Sequence, residues 1–296
     1  MPPSAALNPV RPAGDLMAAA RALGASGGGA GAARLLALLY DPEVASERVL
    51  ACLSSEPALA ARVLKVANSP YYLLSGSVGT VDRAVQMLGL TAIRGIAAAG
   101  CLDRMAPPAA GTAFDPAAFC RHSLAVGCAA QLLARAAGLA IEGEAFMAGL
   151  LHDIGMLLLV KADPAAMASF EPAQSTTIAS ALAAEREHFG ATHEECAGLL
   201  VQAWQLPEWL KDAVCQHHIV TAAPPGGAGL ALLPGLLALA DHCAHTAGFV
   251  LWPLCGLAPA ATLGAALGLD EATLETVITE LAEVVARLLP GPEVSS

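Results

Sequence analysis

Aromatic residues are scarce, at 4% of the 296-residue chain, and charged residues make up only 14%. So few aromatics, with alanine and leucine dominating, suit close-packed helices better than β-sandwiches. Positive charge is especially thin: 15 Lys and Arg stand against 26 Asp and Glu, a formal net charge of −11. A nucleic-acid binder of this size would carry a basic face, so nucleic acid is not an expected partner. The eight cysteines include no CxxC pair, which removes the usual zinc-ribbon and thiol-redox signatures, and they read as small buried hydrophobes. There is no GxSxG, no P-loop and no GxGxxG. Disorder is excluded by an apolar content of 56%.

A mean hydropathy of +0.58 raises the question of a membrane span. Two long charge-free stretches exist, Ala213–Ala240 and Thr246–Leu269. The first holds three histidine and glutamine positions and three prolines, and the second holds Pro253 and Pro259 with several glycines. Neither reads as an unbroken spanning helix, so no membrane span is expected. No apolar segment follows a basic start at the N-terminus, and a cytoplasmic location is the expectation.

Helical periodicity runs through most of the chain, and the expected fold class is all-α. Residues 1–30 read as a loose, flexible arm around one short helix, Leu16–Leu23. Ser55 is an expected N-cap, with Pro57 just inside the start. Thr80 caps the next helix and Gly89 ends it. The Pro/Ala/Gly stretch Ala106–Ala113 is the expected boundary between an N-terminal lobe, residues 31–105, and a multi-helix core, residues 115–247. Asp115-Pro116 opens a long helix to about Ala137. Further helices are expected over Glu142–Lys161 and Thr176–Phe189, the latter closed by Gly190. Thr192 with Glu195 forms a capping box that starts a helix to Trp204. Pro207 opens another, ending near His217-His218, and Thr221–Gly229 is a loop. An extension, residues 248–296, ends in a helix over Asp270–Leu289 whose stripe from Leu274 to Leu288 needs a surface to cover it.

Without a nucleophile motif, the chemistry that remains belongs to histidine and aspartate: His122, His152-Asp153, His193, His217-His218 and Asp241. Neutral imidazoles and carboxylates together suit Fe, Mn, Zn or Mg, and two ions sharing a carboxylate can clamp a phosphate. Adjacent His152 and Asp153 would project about 100° apart on a helix, and Gly155 would admit a neighbouring backbone closely. One such doublet is weak evidence in a chain with eight histidines. His188, His242 and His245 read as structural or surface residues.

Several long motifs carry a more specific signal. FCRHSLAVGCAAQLLARAAGL at Phe119–Leu139, followed by EAFMAGLLHDIGMLLL at Glu144–Leu159, resembles the HD-domain superfamily of metal-dependent phosphohydrolases. SEPALAARVLKVANSPYY at Ser55–Tyr72 and TVDRAVQMLGLTAIRGI at Thr80–Ile96 look like the N-terminal half of the HDOD family, the HD-related output domain of bacterial signalling proteins. HFGATHEECAGLLVQAWQLPEWL at His188–Leu210, with AVCQHH at Ala213–His218, is similar to its later half. The resemblance covers residues 31–245, and the Gly-rich Ala25–Ala32 departs from it.

This resemblance implies an all-helical regulatory module, generally without hydrolase activity, that acts on a protein partner or through a nucleotide second messenger. Relatives that cleave cyclic dinucleotides order their ligands as His, His-Asp, His, His-His, Asp. That order is matched here by His122, His152, Asp153, His193, His217, His218 and Asp241, which implies a divalent metal. Two features count against turnover. Met156 stands where active relatives place a phosphate-holding lysine, and no acidic or GYP-like segment follows His218. The alternative implied function is a metal-dependent phosphohydrolase of a nucleotide or cyclic dinucleotide. On this reading Asp153 is expected to serve as a structural hydrogen-bond acceptor.

Overall fold

The structure, a computed structural model, describes residues 13–25, 29–39, 44–69, 78–106, 114–170, 177–218, 229–252 and 259–289. The expected linker, apart from Ala106, and the expected loop up to residue 228 lie outside these residues. Among the described residues there are sixteen α-helices, one short 3₁₀ helix and no strand.

The first six helices are α1 (Ala13–Ala25), α2 (Gly29–Leu39), α3 (Ser46–Ser55), α4 (Pro57–Ala67), α5 (Val81–Leu88) and α6 (Leu90–Met105). Thr80 caps α5 by accepting the Arg83 N–H at 3.2 Å, and Gly89 ends it at φ 82°. The cap before Pro57 falls one residue later than expected. Glu56 takes the N-cap position, while the Ser55 hydroxyl turns back to donate to the Cys52 carbonyl and closes α3. From Ile93 to Leu102, α6 is buried almost all round, so α2, α4 and α5 pack about it.

The expected loose arm differs over its described part. Helix α1 is longer than Leu16–Leu23 and buries Leu16, Ala20 and Leu23 against the later helices α9 and α12. Three apolar side chains at i, i+4 and i+7 make one stripe, and burying them docks the helix.

The core helices follow: α7 (Pro116–Ala136), α8 (Glu142–Leu151), α9 (Gly155–Ala162), α10 (Pro164–Ser169), α11 (Ile178–Phe189), α12 (His193–Ala203), α13 (Glu208–Val214) and α14 (Leu233–Thr246). Asp115 caps α7 by accepting the Ala117 N–H at 2.8 Å. Helices α7 and α8 touch backbone to backbone, because a Cβ on Gly149 would lie 2.7 Å from the Val126 carbonyl oxygen. That contact brings the C-terminal end of α8 down onto the middle of α7. The stretches Pro116–Ala136 and Glu142–Ala162 are long and apolar enough to cross a membrane, but 78% and 83% of their apolar windows are buried inside the fold. They are core helices.

Two further helices follow, α15 (Ala260–Ala266) and α16 (Glu271–Leu288). Asp270 caps α16, accepting the Thr273 N–H at 2.9 Å. Leu274, Val277, Leu281, Val285 and Leu288 are buried against α6, α7, α14 and α15, so the expected stripe is covered.

Candidate metal centre

Each candidate side chain sits at a helix end or on a buried helix face. His122 projects from the middle of α7, and Asp241 from α14. His193 is the first residue of α12, fixed by the expected capping box: Thr192 accepts the Glu195 N–H at 3.2 Å, and Glu195 accepts the Thr192 N–H at 3.0 Å. His217-His218 lie in the turn after α13.

The expected continuous helix over Glu142–Lys161 is instead interrupted at the doublet. His152, Asp153 and Ile154 form a turn between α8 and α9. The cause is local: the His152 Nδ1–H donates to the Gly149 carbonyl at 2.8 Å, competing for an acceptor the helical ladder would use. The main chain tightens to i→i+3 bonds, Ile154 N–H to the Leu151 carbonyl at 3.1 Å and Met156 N–H to the Asp153 carbonyl at 2.9 Å. His217 repeats the device, its Nδ1–H donating to the Val214 carbonyl at 2.7 Å. Gly155 follows the turn, and a Cβ there would overlap the His193 carbonyl oxygen and come within 2.6 Å of the Ala197 nitrogen. Helix α12 is therefore pressed against the doublet.

All seven candidate residues converge, although they span 120 positions in the sequence. The Asp153 carboxylate lies at the middle. Its Oδ2 is 3.3 Å from His152 Nε2 and 3.8 Å from His122 Nε2; its Oδ1 is 3.5 Å from both His193 Nε2 and His217 Nε2. Asp241 Oδ1 is 3.4 Å from His122 Nε2. His218 joins Asp153, His193 and His217 in one group of potential ligand atoms within 4.8 Å of one another; His122, His152 and Asp153 form a second group. Asp153 belongs to both.

Hydrogen bonding on the far side of each ring decides what the near side offers. His122 Nδ1–H donates to the Phe249 carbonyl at 2.9 Å, and His193 Nδ1–H to the Glu185 carboxylate at 2.8 Å. A carbonyl or carboxylate only accepts, so His122, His152, His193 and His217 all carry a proton on Nδ1. In the neutral rings every Nε2 then turns a lone pair inward. Two pairs of these atoms face each other, His122 with His152 at 3.3 Å and His193 with His217 at 3.4 Å. Lone pairs at that separation repel unless a cation lies among them. Buried Asp241 Oδ1 is drawn into the same cluster, 3.4 Å from His122 Nε2 and 3.0 Å from His245 Nδ1. The donor set fits divalent metal ions, and back-bonded imidazoles are the arrangement metal sites use.

Protons can fill the same need. Burial works against a charge on His152, yet the adjacent Asp153 outweighs it and holds the imidazole above its ordinary value. Burial is likewise overcome at His193, where Glu185 raises the value to about 9. Asp153 and Asp241 are held well below the carboxylate range by the surrounding imidazoles despite their burial. His122 is lowered, because burial dominates there. Metal ligation needs neutral rings, so metal uptake must expel these protons. Affinity for Mn(II) or Zn(II) is expected to rise as pH climbs toward 9. Calorimetry in buffers of different ionisation enthalpy should show at least one proton released per ion bound at pH 7; no release would contradict the geometry.

Two residues in contact with the cluster escape the sequence reading. His245, read as structural or surface, stands one turn after Asp241 and places Nδ1 3.0 Å from Asp241 Oδ1, with His122 close by. Its position at i+4 from a candidate aspartate was the available signal. Glu185 on α11 is buried behind His193, four residues before the buried Phe189 and so on the same inward stripe.

The HDOD domain family matches residues 30–220. A curated protein of Treponema pallidum (strain Nichols), described only as uncharacterized, is 23% identical over 187 residues. The match takes 63% of this chain and spans 36% of that protein's length. A solved structure from Shewanella amazonensis, provisionally named a phosphohydrolase, is 25% identical with a TM-score of 0.63, covering 93% of this chain and 98% of that one. An HDOD domain protein of unknown function from Geobacter sulfurreducens is 24% identical, TM-score 0.63, covering 95% and 100% of the two chains. A protein from Marinobacter aquaeolei, provisionally named for signal transduction, is 23% identical with a TM-score of 0.65 and covers 95% of this chain and 58% of that one. The last two share the all-helical fold. With that fold, the convergent His/Asp cluster and a family match over most of its length, the chain belongs to the HDOD domain family.

Proposed function

We propose that this chain is a signalling module that keeps an HD-type metal centre as a structural and regulatory element, and acts by binding a protein partner rather than by turning over a phosphoester. The observation that carries this reading is the closure of the centre. His122, His152, His217 and Asp241 are at most 1% exposed and His193 5%, so the centre opens only at Asp153, whose side chain is 15% exposed, and at partly buried His218. A hydrolytic metal site keeps a position open for water and substrate, whereas a structural one is closed. The lack of a phosphate-holding lysine at position 156 adds support. Met156 is buried in the apolar core, and the groups acting most strongly on Asp153 are imidazoles.

Imidazole-rich ligation with two carboxylates favours Fe, Mn or Zn over Mg. The acidic balance of the chain suits a partner with a basic face, held more weakly at high salt. A cytoplasmic setting agrees with the free cysteines and the raised pKa values of the buried thiols, Cys101 and Cys128 being pushed up to about 12 by burial.

The second reading, a metal-dependent phosphohydrolase, draws on one observation: Asp153 is shared by two ligand groups, as it would be if two ions clamped a phosphate. One assay separates the readings. The full chain, loaded with Mn(II) or Fe(II), is offered bis(p-nitrophenyl) phosphate and cyclic dinucleotides. The expected result is no turnover above metal in buffer, with or without nucleotide binding. Turnover that disappears in Asp153→Asn would replace the signalling reading with the enzymatic one.

A further inference from the structure

The centre is not symmetric, and the asymmetry lies behind the rings rather than at them. In the inner half, His122 and His152 are each backed by a neutral main-chain carbonyl, from Phe249 and Gly149. In the outer half, His217 is backed by the Val214 carbonyl, with the Glu194 carboxylate 4.0 Å from its Nδ1. His193 alone is backed directly by a carboxylate. Its Nδ1 is 2.8 Å from both Glu185 oxygens, and its main-chain N–H donates to Glu185 Oε2 at 2.7 Å. One side chain thus clamps both the ring and the backbone of the same residue.

A buried carboxylate is costly unless its charge is used. Glu185 is only 4% exposed, and its ion pair within reach is with His193. A neutral acceptor would hold the ring equally well, as the carbonyls do for the other three. A carboxylate does more: it shares the Nδ1 proton, leaves Nε2 richer in electron density, and strengthens it as a donor to a cation.

We propose that Glu185 is a positioning residue that sets the metal affinity of the outer half-site, formed by Asp153, His193, His217 and His218, independently of the inner half formed by His122, His152, Asp153 and Asp241. The inference rests on the metal-holding reading given above. It makes the two halves separately adjustable, with the outer one tuned from α11, a helix that contributes no ligand.

The test is a titration of the chelator-stripped full chain with Mn(II), free ion being followed by electron paramagnetic resonance. The parent should bind two ions in distinguishable steps, the inner one identified by its loss in His122→Ala. In Glu185→Gln the outer step is expected to weaken by about 10–100-fold while the inner step stays put. Melting in excess chelator reports any purely structural role: a lowered melting temperature with both binding steps intact would overturn the proposal. Equal weakening of both steps would overturn it too. Should Glu185→Gln fail to fold, Glu185→Asp keeps the charge at shorter reach and should weaken the outer step alone. A parent that binds no Mn(II) at any step would remove the metal-holding reading itself, and this proposal with it; two intact steps in the variant would remove only this proposal.

Discussion

Replacing Gly155 with alanine is expected to lower the stability of the protein by about 3 kcal/mol, the upper range for overpacking. The added methyl has nowhere to go. It would overlap the His193 carbonyl oxygen and approach the Ala197 nitrogen to 2.6 Å, and both are main-chain atoms of α12 that cannot rotate away. Helices α9 and α12 must part, and His193, the first residue of α12, moves with them. A melting temperature lower by roughly 5–10 °C is expected, with weaker metal binding in parallel. Gly235 on α14 supplies the control. A Cβ there meets nothing within 4 Å, so Gly235→Ala should change stability by less than about 1 kcal/mol, and toward greater stability. Equal melting of Gly155→Ala and the parent would mean that α9 and α12 do not make this contact.

What was legible in the sequence follows from the range of the interactions involved. Caps act within four residues, so Asp115, Thr80, Thr192 with Glu195, and Asp270 mark helix starts that the structure keeps. Gly190 ends α11 at φ 78°, another signal readable from residue type alone. The break at His152 was not readable, because it depends on which acceptor the imidazole selects, and an apolar run through Leu158 argues for continuity. The docking of α1 was missed for the opposite reason. Its Gly/Ala-rich surroundings suggest mobility, and only the partner surface on α9 and α12 gives its three-residue stripe a place to go.

The centre itself was legible as a set of residues but not as a geometry. No spacing shows that His122 and Asp241 meet, since that depends on how α14 crosses α7. Glu185 illustrates the harder case. It lies among Arg186 and Glu187 and reads as one more solvated charge; its burial follows from α11 turning the Glu185–Phe189 stripe inward. His245 was set aside as an ordinary histidine for want of the same information.

Changing Asp153 to asparagine should have the largest effect on the centre, and the size of that effect should depend on metal. Asparagine keeps the volume but loses the charge that faces four imidazoles. In excess chelator the parent still uses that charge, since Asp153 favours the protonated form of His152 and holds its imidazole above the ordinary value. The variant should then be less stable by about 1–3 kcal/mol, because a buried donor loses its anionic acceptor. Taken alone, the sequence reading expects this cost and nothing more, the same with or without chelator. The inward lone pairs at 3.3 Å and 3.4 Å argue for a second contribution. An ion bound only by the native state adds about 4 kcal/mol when its free concentration is a thousand times its dissociation constant. Asparagine, a neutral ligand shared by both halves, should forfeit most of that. The gap in melting temperature between the two proteins should therefore widen when chelator is replaced by saturating Mn(II). A gap that stays constant would show that protons alone hold the centre together, and that Asp153 serves there only as a structural acceptor.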